Sequence, residues 1–415
     1  MEARPLTRLD AFCLGINAIV GTSIFLFPGV LTQQLGPASI LSFGLTGLAL
    51  LPVALCFSQA SLDFDRHGGP YLYARAAFGR SVGFSAGWLC WAAEVLSWAA
   101  VASGISTYLG YFDPGWASAA ASRSVAAVVI VAMGALNYRG VKLGALTTDL
   151  FTLAKLVPLI AFVLVGLWHV KGSNLVPFAP YGWSPLGKAC FLAAFAYSGF
   201  EVVPVPAGEL RDPRRDVPMA VVGSLALSGV LYMLVQAVAV GTHPAIAGSE
   251  RPLADAAASF LWHPGASLMA AGAAISMIGF NAGCALGGPR YLVALAENGD
   301  LPEGLAASHP RFATPYRSIV VTTALALAAA TAFDFRKLVD FSVVVICAQY
   351  AATCAALPVL RRRARGAGIG VWTLAILGLL ATAWIGSQAG RDEVRWSAAA
   401  LAAGWAVRFA LRPRG

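Results

Sequence analysis

Charge is scarce in this chain of 415 residues: Asp, Glu, Lys and Arg together make up 12%, against 58% hydrophobic residues. A water-soluble fold of this length needs far more charge on its outside, so a soluble globular protein is excluded. Period-two alternation is missing from the apolar runs, which argues against a closed barrel. Histidine is also rare. His67, His169, His243, His263 and His309 stand at the ends of apolar runs or between them, with no HxxxH or HExxH spacing, so no metal site is expected. The seven cysteines include no CxxC pair and are scattered through apolar segments, as small membrane-helix residues are, so neither disulfides nor thiolate-bound metal is expected. No phosphate-binding loop or metal-ligand set is present; an enzyme and a bound cofactor are not expected. Low-complexity tracts and long linkers are absent, which leaves one domain over 1–415.

What fills the chain instead is a series of apolar runs about twenty residues long. They predict about twelve membrane-spanning helices over 10–33, 38–62, 81–110, 122–138, 146–169, 187–210, 218–241, 265–295, 317–333, 338–360, 370–387 and 396–411. The net charge of +9 does not point to nucleic acid, because the basic residues sit in short clusters between the runs. With the N-terminus in the cytoplasm, twenty Lys and Arg fall inside, among them Arg4, Arg8, Arg66, Lys142, Arg365, Arg412 and Arg414, against eight outside. That bias predicts a multi-pass inner-membrane protein with both termini cytoplasmic. The first run continues past any cleavage pattern, so no removable signal peptide is expected.

Two runs differ from the rest. The first carries Gly21-Thr22-Ser23 and then Pro28; the sixth carries Ser198-Gly199 and then Pro204 and Pro206. Interruptions at corresponding places in two halves point to an inverted repeat with a binding site at the midplane. A break exposes peptide N–H and C=O groups, and a zwitterion offers partners for both. At the first break, amides near Gly21, Thr22 and Ser23 open a half-helix whose dipole favours a carboxylate, while carbonyls such as that of Ile19 accept from an ammonium. In the sixth run, the carbonyls of Phe195, Ala196 and Ser198, beside Gly199, complete the amine site, and Phe195 and Tyr197 offer an aromatic lid.

The stretch Gly15-Ile16-Asn17-Ala18-Ile19-Val20-Gly21-Thr22-Ser23-Ile24-Phe25 resembles the first-helix signature of the amino acid, polyamine and organocation (APC) transporter superfamily. Three more stretches match in order: Gly68-Gly69-Pro70-Tyr71-Leu72-Tyr73; Phe200-Glu201 through Gly208-Glu209 to Pro218; and Gly288-Pro289-Arg290-Tyr291 through Asp300-Leu301-Pro302 to Thr314-Pro315. The resemblance implies an all-α fold of the LeuT type, with discontinuous helices 1 and 6 and a five-plus-five inverted repeat. Its first repeat would cover 10–169, its second 187–360, and two accessory helices 370–411. It also implies amino acid uptake or exchange. Ser23 and Asn17 depart from the family, which commonly has glycine at both places, and this bears on substrate size.

Lys155, in the fifth run, is costly inside a membrane unless paired or functional. The resemblance implies an ammonium standing where related symporters hold sodium; the alternative is a static cation bonding broken-helix carbonyls. Glu201, next to the sixth-run break, and Glu94, mid-run in the third, are candidate proton carriers, since membrane carboxylates mark proton and substrate paths; each also has a reading as a structural anchor. Glu201 is expected to matter more for proton coupling than Glu94. Trp88, Trp91, Trp98, Met277, Asn281 and Gln349 are candidates for the side-chain pocket. The expected partners are the bilayer, a small amino acid and a proton, with neutral, hydrophobic L-amino acids favoured. Cationic amino acids or polyamines, and a sensor that binds without transporting, stay open.

Overall fold

The computed structural model describes residues 7–62, 64, 68–140, 145–204, 210–243, 245–364 and 367–411. Arg4, Arg66, His67, Lys142, Pro206, Gly208, Glu209, Arg365, Arg412 and Arg414 therefore lie outside the described residues. Within them the chain is helical: α1 (Arg8–Ile19), α2 (Ser23–Leu35), α3 (Ser39–Ser61), α4 (Pro70–Phe78), α5 (Arg80–Leu109), α6 (Ala119–Tyr138) and α7 (Ala145–Gly166). They are followed by α8 (Leu186–Tyr197), α9 (Pro213–Thr242), α10 (Pro252–Glu297), α11 (Tyr316–Ala332), α12 (Phe335–Ala364), α13 (Ile369–Gly386) and α14 (Arg391–Ala410). Eight helical stretches among the described residues are long and apolar enough to cross a membrane. The first predicted run is divided between α1 and α2, and the predicted run 265–295 lies inside α10, which kinks at Trp262 (φ 52°).

Local chemistry sets the ends that matter for the site. Thr7 opens α1 with a reciprocal cap: its hydroxyl accepts the Asp10 amide and its own amide donates to the Asp10 carboxylate at 2.7 Å. Arg8 then reaches Asp216 at the start of α9, 2.8 Å away, so the entry of the first helix is fixed to a distant element. Pro28 removes an N–H from the middle of α2. The hydroxyl of Thr32 donates to the Pro28 carbonyl (2.6 Å), and the buried Gln236 amide of α9 donates to Thr32 Oγ1 (2.9 Å) and Ser39 Oγ (2.7 Å). Each such bond contributes about 1 kcal/mol net, and together they hold α2 and α3 against α9.

The core is built around α5, which packs along both α10 and α12, while α1 and α3 pack on α9. α14 is fastened at both ends. Near its start, Glu393 meets Lys188 of α8 at 3.4 Å. Near its finish, the buried Arg408 reaches Asp300, just beyond α10, at 2.7 Å. Asp300 also receives Arg75 of α4 and Arg80 of α5, each at 2.7 Å. The Arg408 guanidinium lies over the rings of Phe84 and Trp405, which shield it from solvent.

Candidate functional site

The first break lies between α1 and α2. Helical geometry stops at Ile19; Val20 turns away with φ −76° and ψ 83°, and α2 starts at Ser23. The carbonyls left over at the end of α1 are not idle. The buried ammonium of Lys155, from α7, donates to the Asn17 carbonyl (3.0 Å) and the Val20 carbonyl (2.8 Å). The Ser276 hydroxyl of α10 also reaches Val20 O at 3.4 Å. A cation thus takes up orphan acceptors that water cannot reach.

The second break follows α8. Ser198 is extended (ψ 144°) and Gly199 has φ 124°, a conformation that glycine alone adopts without strain. The two breaks touch here: a Cβ on Gly199 would stand 2.4 Å from the Ala18 carbonyl oxygen. One hydroxyl joins them. Tyr232 of α9, fully buried, lies 2.9 Å from the Ile19 carbonyl and 3.1 Å from the Ala196 carbonyl. The Phe195 carbonyl accepts from the Ser198 hydroxyl at 2.8 Å. Glu201 closes the turn, with Oε2 accepting the Gly199 amide (2.8 Å) and the Tyr350 hydroxyl (3.1 Å) while Oε1 accepts from Gln349 (3.4 Å).

Beside the touching breaks lies a cavity of about 100 Å³ between α1, α5, α10 and α12. Of the predicted ligand-binding residues, Ser198 and Gly199 line it; Ile19, Gly21, Thr22, Ser23, Phe195 and Ala196 do not. Two physical causes account for all of these but Thr22 and Ser23. The carbonyls of Ile19, Phe195 and Ala196 already serve Tyr232 and Ser198, and the ring of Phe280 stands over Gly21. Phe195 and Tyr197 face elsewhere: Phe195 packs against Phe27, and the Tyr197 hydroxyl donates to the Phe43 carbonyl. Among the pocket candidates Gln349 lines the cavity. Trp88 and Trp91 spend their indole N–H groups on Ala400 O and Thr322 Oγ1, Trp98 and Met277 are buried off the wall, and Asn281 donates to Met277 O.

Both predicted carboxylates reach the cavity, in unlike settings. Glu201 has the three donors already described. Glu94 has, among the described residues, only the Cys284 thiol as a side-chain hydrogen-bond partner. Lys155 is off the wall, behind α1. Sequence reasoning passed over Asn17 and Ala18 as lining groups, Ser97 one turn along α5 from Glu94, and Phe280 with Gly283 and Gly287 on α10. The signal for the two glycines was present: Gly279, Gly283 and Gly287 recur every fourth residue and share one helix face. A Cβ on Gly283 or Gly287 would meet only open space.

A helical bundle whose two interrupted segments meet beside a largely apolar cavity with a few polar groups has the form of a membrane carrier, and comparison with known proteins gives the class a family. A family model described as amino acid permease matches residues 6–386, and the chain belongs to that family, within the APC superfamily. A methylthioribose transporter of Bacillus subtilis is 31% identical over 336 residues, 77% of this chain and 73% of its own length. The branched-chain amino acid permease BcaP of the same organism is 29% identical over 331 residues, 75% of this chain and 71% of its own. Its serine/threonine exchanger SteT is 27% identical over 377 residues, covering 88% and 84%. These relatives are transporters, not enzymes, and with its apolar helices the chain is a multi-pass membrane protein.

Proposed function

We propose that this protein is a secondary transporter that carries amino acids across the inner membrane by alternating access about the two breaks. Ten spans, the first made of α1 and α2 and the sixth starting with α8, form a five-plus-five inverted repeat over 10–169 and 187–360. Two accessory helices follow at 370–411, and both termini are cytoplasmic. The observation that carries this reading is the contact of Gly199 with the Ala18 carbonyl beside the cavity: interrupted helices that meet at a hollow are where a carrier holds a small zwitterion.

Coupling follows from formal charge. One ammonium, Lys155, stands against two carboxylates, Glu94 and Glu201. A zwitterion adds nothing to that sum, so one further positive charge balances the buried set. A proton on Glu94 supplies it when the cargo is a neutral amino acid, and BcaP and SteT are named for neutral amino acids. Glu94 is the better carrier of the two because Glu201 is held by the Gly199 amide, Tyr350 and Gln349. A cationic amino acid or a polyamine is the alternative cargo and would bring that charge itself. Lys155 fills the carbonyl cluster a metal cation would otherwise occupy, so transport does not need sodium.

The test is thermal stabilisation of the purified full-length protein by the twenty common amino acids, putrescine and methylthioribose, followed by uptake into proteoliposomes. Stabilisation by at least one neutral amino acid, with uptake driven by an inward proton gradient and unchanged when sodium is replaced by choline, is expected. Stabilisation by methylthioribose and by no amino acid would refute the reading, as would binding without any counterflow.

A further inference from the structure

The cavity wall holds polar groups that the protein itself leaves unsatisfied. Asn17 lines the cavity, and its Oδ1 has no hydrogen-bond partner. Ser97 lines it from α5, and its hydroxyl has no partner among the described residues. Glu94, three residues earlier on the same helix face, has only the Cys284 thiol. The Thr22 hydroxyl, off the wall at the first break, also lacks a partner, but several other side chains near the breaks behave differently. Ser198, Ser276, Tyr232 and Gln349 all bond a carbonyl or a carboxylate. Two unpaired polar side chains and a carboxylate held only by a thiol, from two elements around one hollow, are what a polar ligand would satisfy, because a buried polar group left without a partner costs more than the bond it would make.

Position says which part of the ligand they meet. Asn17 directly precedes Ala18, whose carbonyl oxygen closes against Gly199. Asn17 shares the cavity wall with Ser198 and Gly199, so a zwitterion held at the second break has the Asn17 amide in the same hollow. Charge narrows the choice further. The Lys155 ammonium lies 3.0 Å from the Asn17 carbonyl oxygen, so a cation already stands beside this residue and a second one is repelled there. A hydroxyl is different. It donates to the Asn17 amide or the Glu94 carboxylate, accepts from Ser97, and carries no charge.

Resting on the amino acid transport reading above, we infer that the cavity selects amino acids with a short, hydroxyl-bearing side chain, and that Asn17 and Ser97 are the specificity-determining residues. This departs from the hydrophobic cargo that the residues around the breaks first suggested. An apolar side chain of the same shape leaves Asn17 and Ser97 unpaired, the situation in which sites built for a hydroxyl reject its isostere.

Threonine and valine are the matched probes, because they differ by a hydroxyl in place of a methyl. Titration of the purified full-length protein with L-threonine, L-serine, L-valine and L-2-aminobutyrate should give threonine a Kd at least about tenfold below that of valine, the smallest ratio expected for one satisfied buried group. In Ser97→Ala and Asn17→Ala the ratio should fall toward one through a weaker Kd for threonine, and an unchanged size-exclusion profile and melting temperature show that the variants remain folded. Equal binding of threonine and valine by the wild type would overturn the selectivity while leaving amino acid transport standing. A ratio unaffected by either substitution would overturn the assignment to Asn17 and Ser97. Binding of none of the four probes would overturn the inference alone; the transport reading falls only if none of the twenty common amino acids binds.

Discussion

Two glycine-to-alanine substitutions, identical in chemistry, should move this protein in opposite directions. At Gly199 the backbone sits at φ 124°, where an L side chain costs about 1–3 kcal/mol in strain. The added Cβ would also stand 2.4 Å from the Ala18 oxygen and 2.5 Å from the Ala18 carbon, both backbone atoms that cannot rotate away. Relieving the overlap means separating α1 from the turn after α8, which parts the Tyr232 hydroxyl from one of its two carbonyls at a further cost of about 1 kcal/mol. The sum is about 2–4 kcal/mol. At Gly283, inside α10, the same methyl meets nothing within 4 Å, and alanine is favoured over glycine in a helix by about 1 kcal/mol. Melting followed by fluorescence size-exclusion chromatography, with counterflow uptake into liposomes, reads both effects. Gly199→Ala should melt several degrees lower and lose counterflow, whereas Gly283→Ala should melt at or above the wild-type temperature. If Gly199→Ala melts and transports like wild type, the two breaks do not touch and the geometry of the site is wrong.

Other expectations follow from the same contacts. Glu94→Gln should abolish accumulation driven by a pH gradient while sparing counterflow, whereas Glu201→Gln should chiefly lower the melting temperature; a pH-driven signal surviving in Glu94→Gln would move the proton elsewhere. Lys155→Met leaves the Asn17 and Val20 carbonyls without their ammonium, and uptake should drop by at least about tenfold, since each stranded acceptor costs about 1–3 kcal/mol; uptake within twofold of wild type would show that the lysine is dispensable. Tyr232→Phe deprives the Ile19 and Ala196 carbonyls of their shared donor and should raise hydrogen exchange at both breaks together, while Tyr197→Phe, which loses only its bond to Phe43 O, should leave the first break unchanged.

The interruptions were legible in the chain because they rest on local chemistry: Gly21-Thr22-Ser23 and Ser198-Gly199 are poor at continuing a helix and stand in otherwise apolar runs. Lys155 and the two glutamates were legible for a related reason, since a formal charge in an apolar run is conspicuous. What occupies the freed carbonyls was not legible. Tyr232 reads as an ordinary aromatic of a membrane helix, and only the packing of α9 brings its hydroxyl to Ile19 and Ala196. The same holds for Glu201, whose donors Gln349 and Tyr350 lie 148 and 149 residues away. Trp88 and Trp91 mislead in the opposite sense: large rings beside a site look like a lining, yet their indole groups are engaged by α14 and α11.

The carboxylate of Asp300 holds consequences for the end of the chain. Guanidinium groups from α4, α5 and α14 converge on its two oxygens, so three segments far apart in sequence share one electrostatic joint. α14 lies beyond the residues that the family pattern covers, yet it cannot swing free without stranding Arg408 between two aromatic rings. A tag or fusion appended to the C-terminus would therefore pull, through Arg408 and Asp300, on the C-terminal end of α10, the helix that supplies the open glycine face of the cavity.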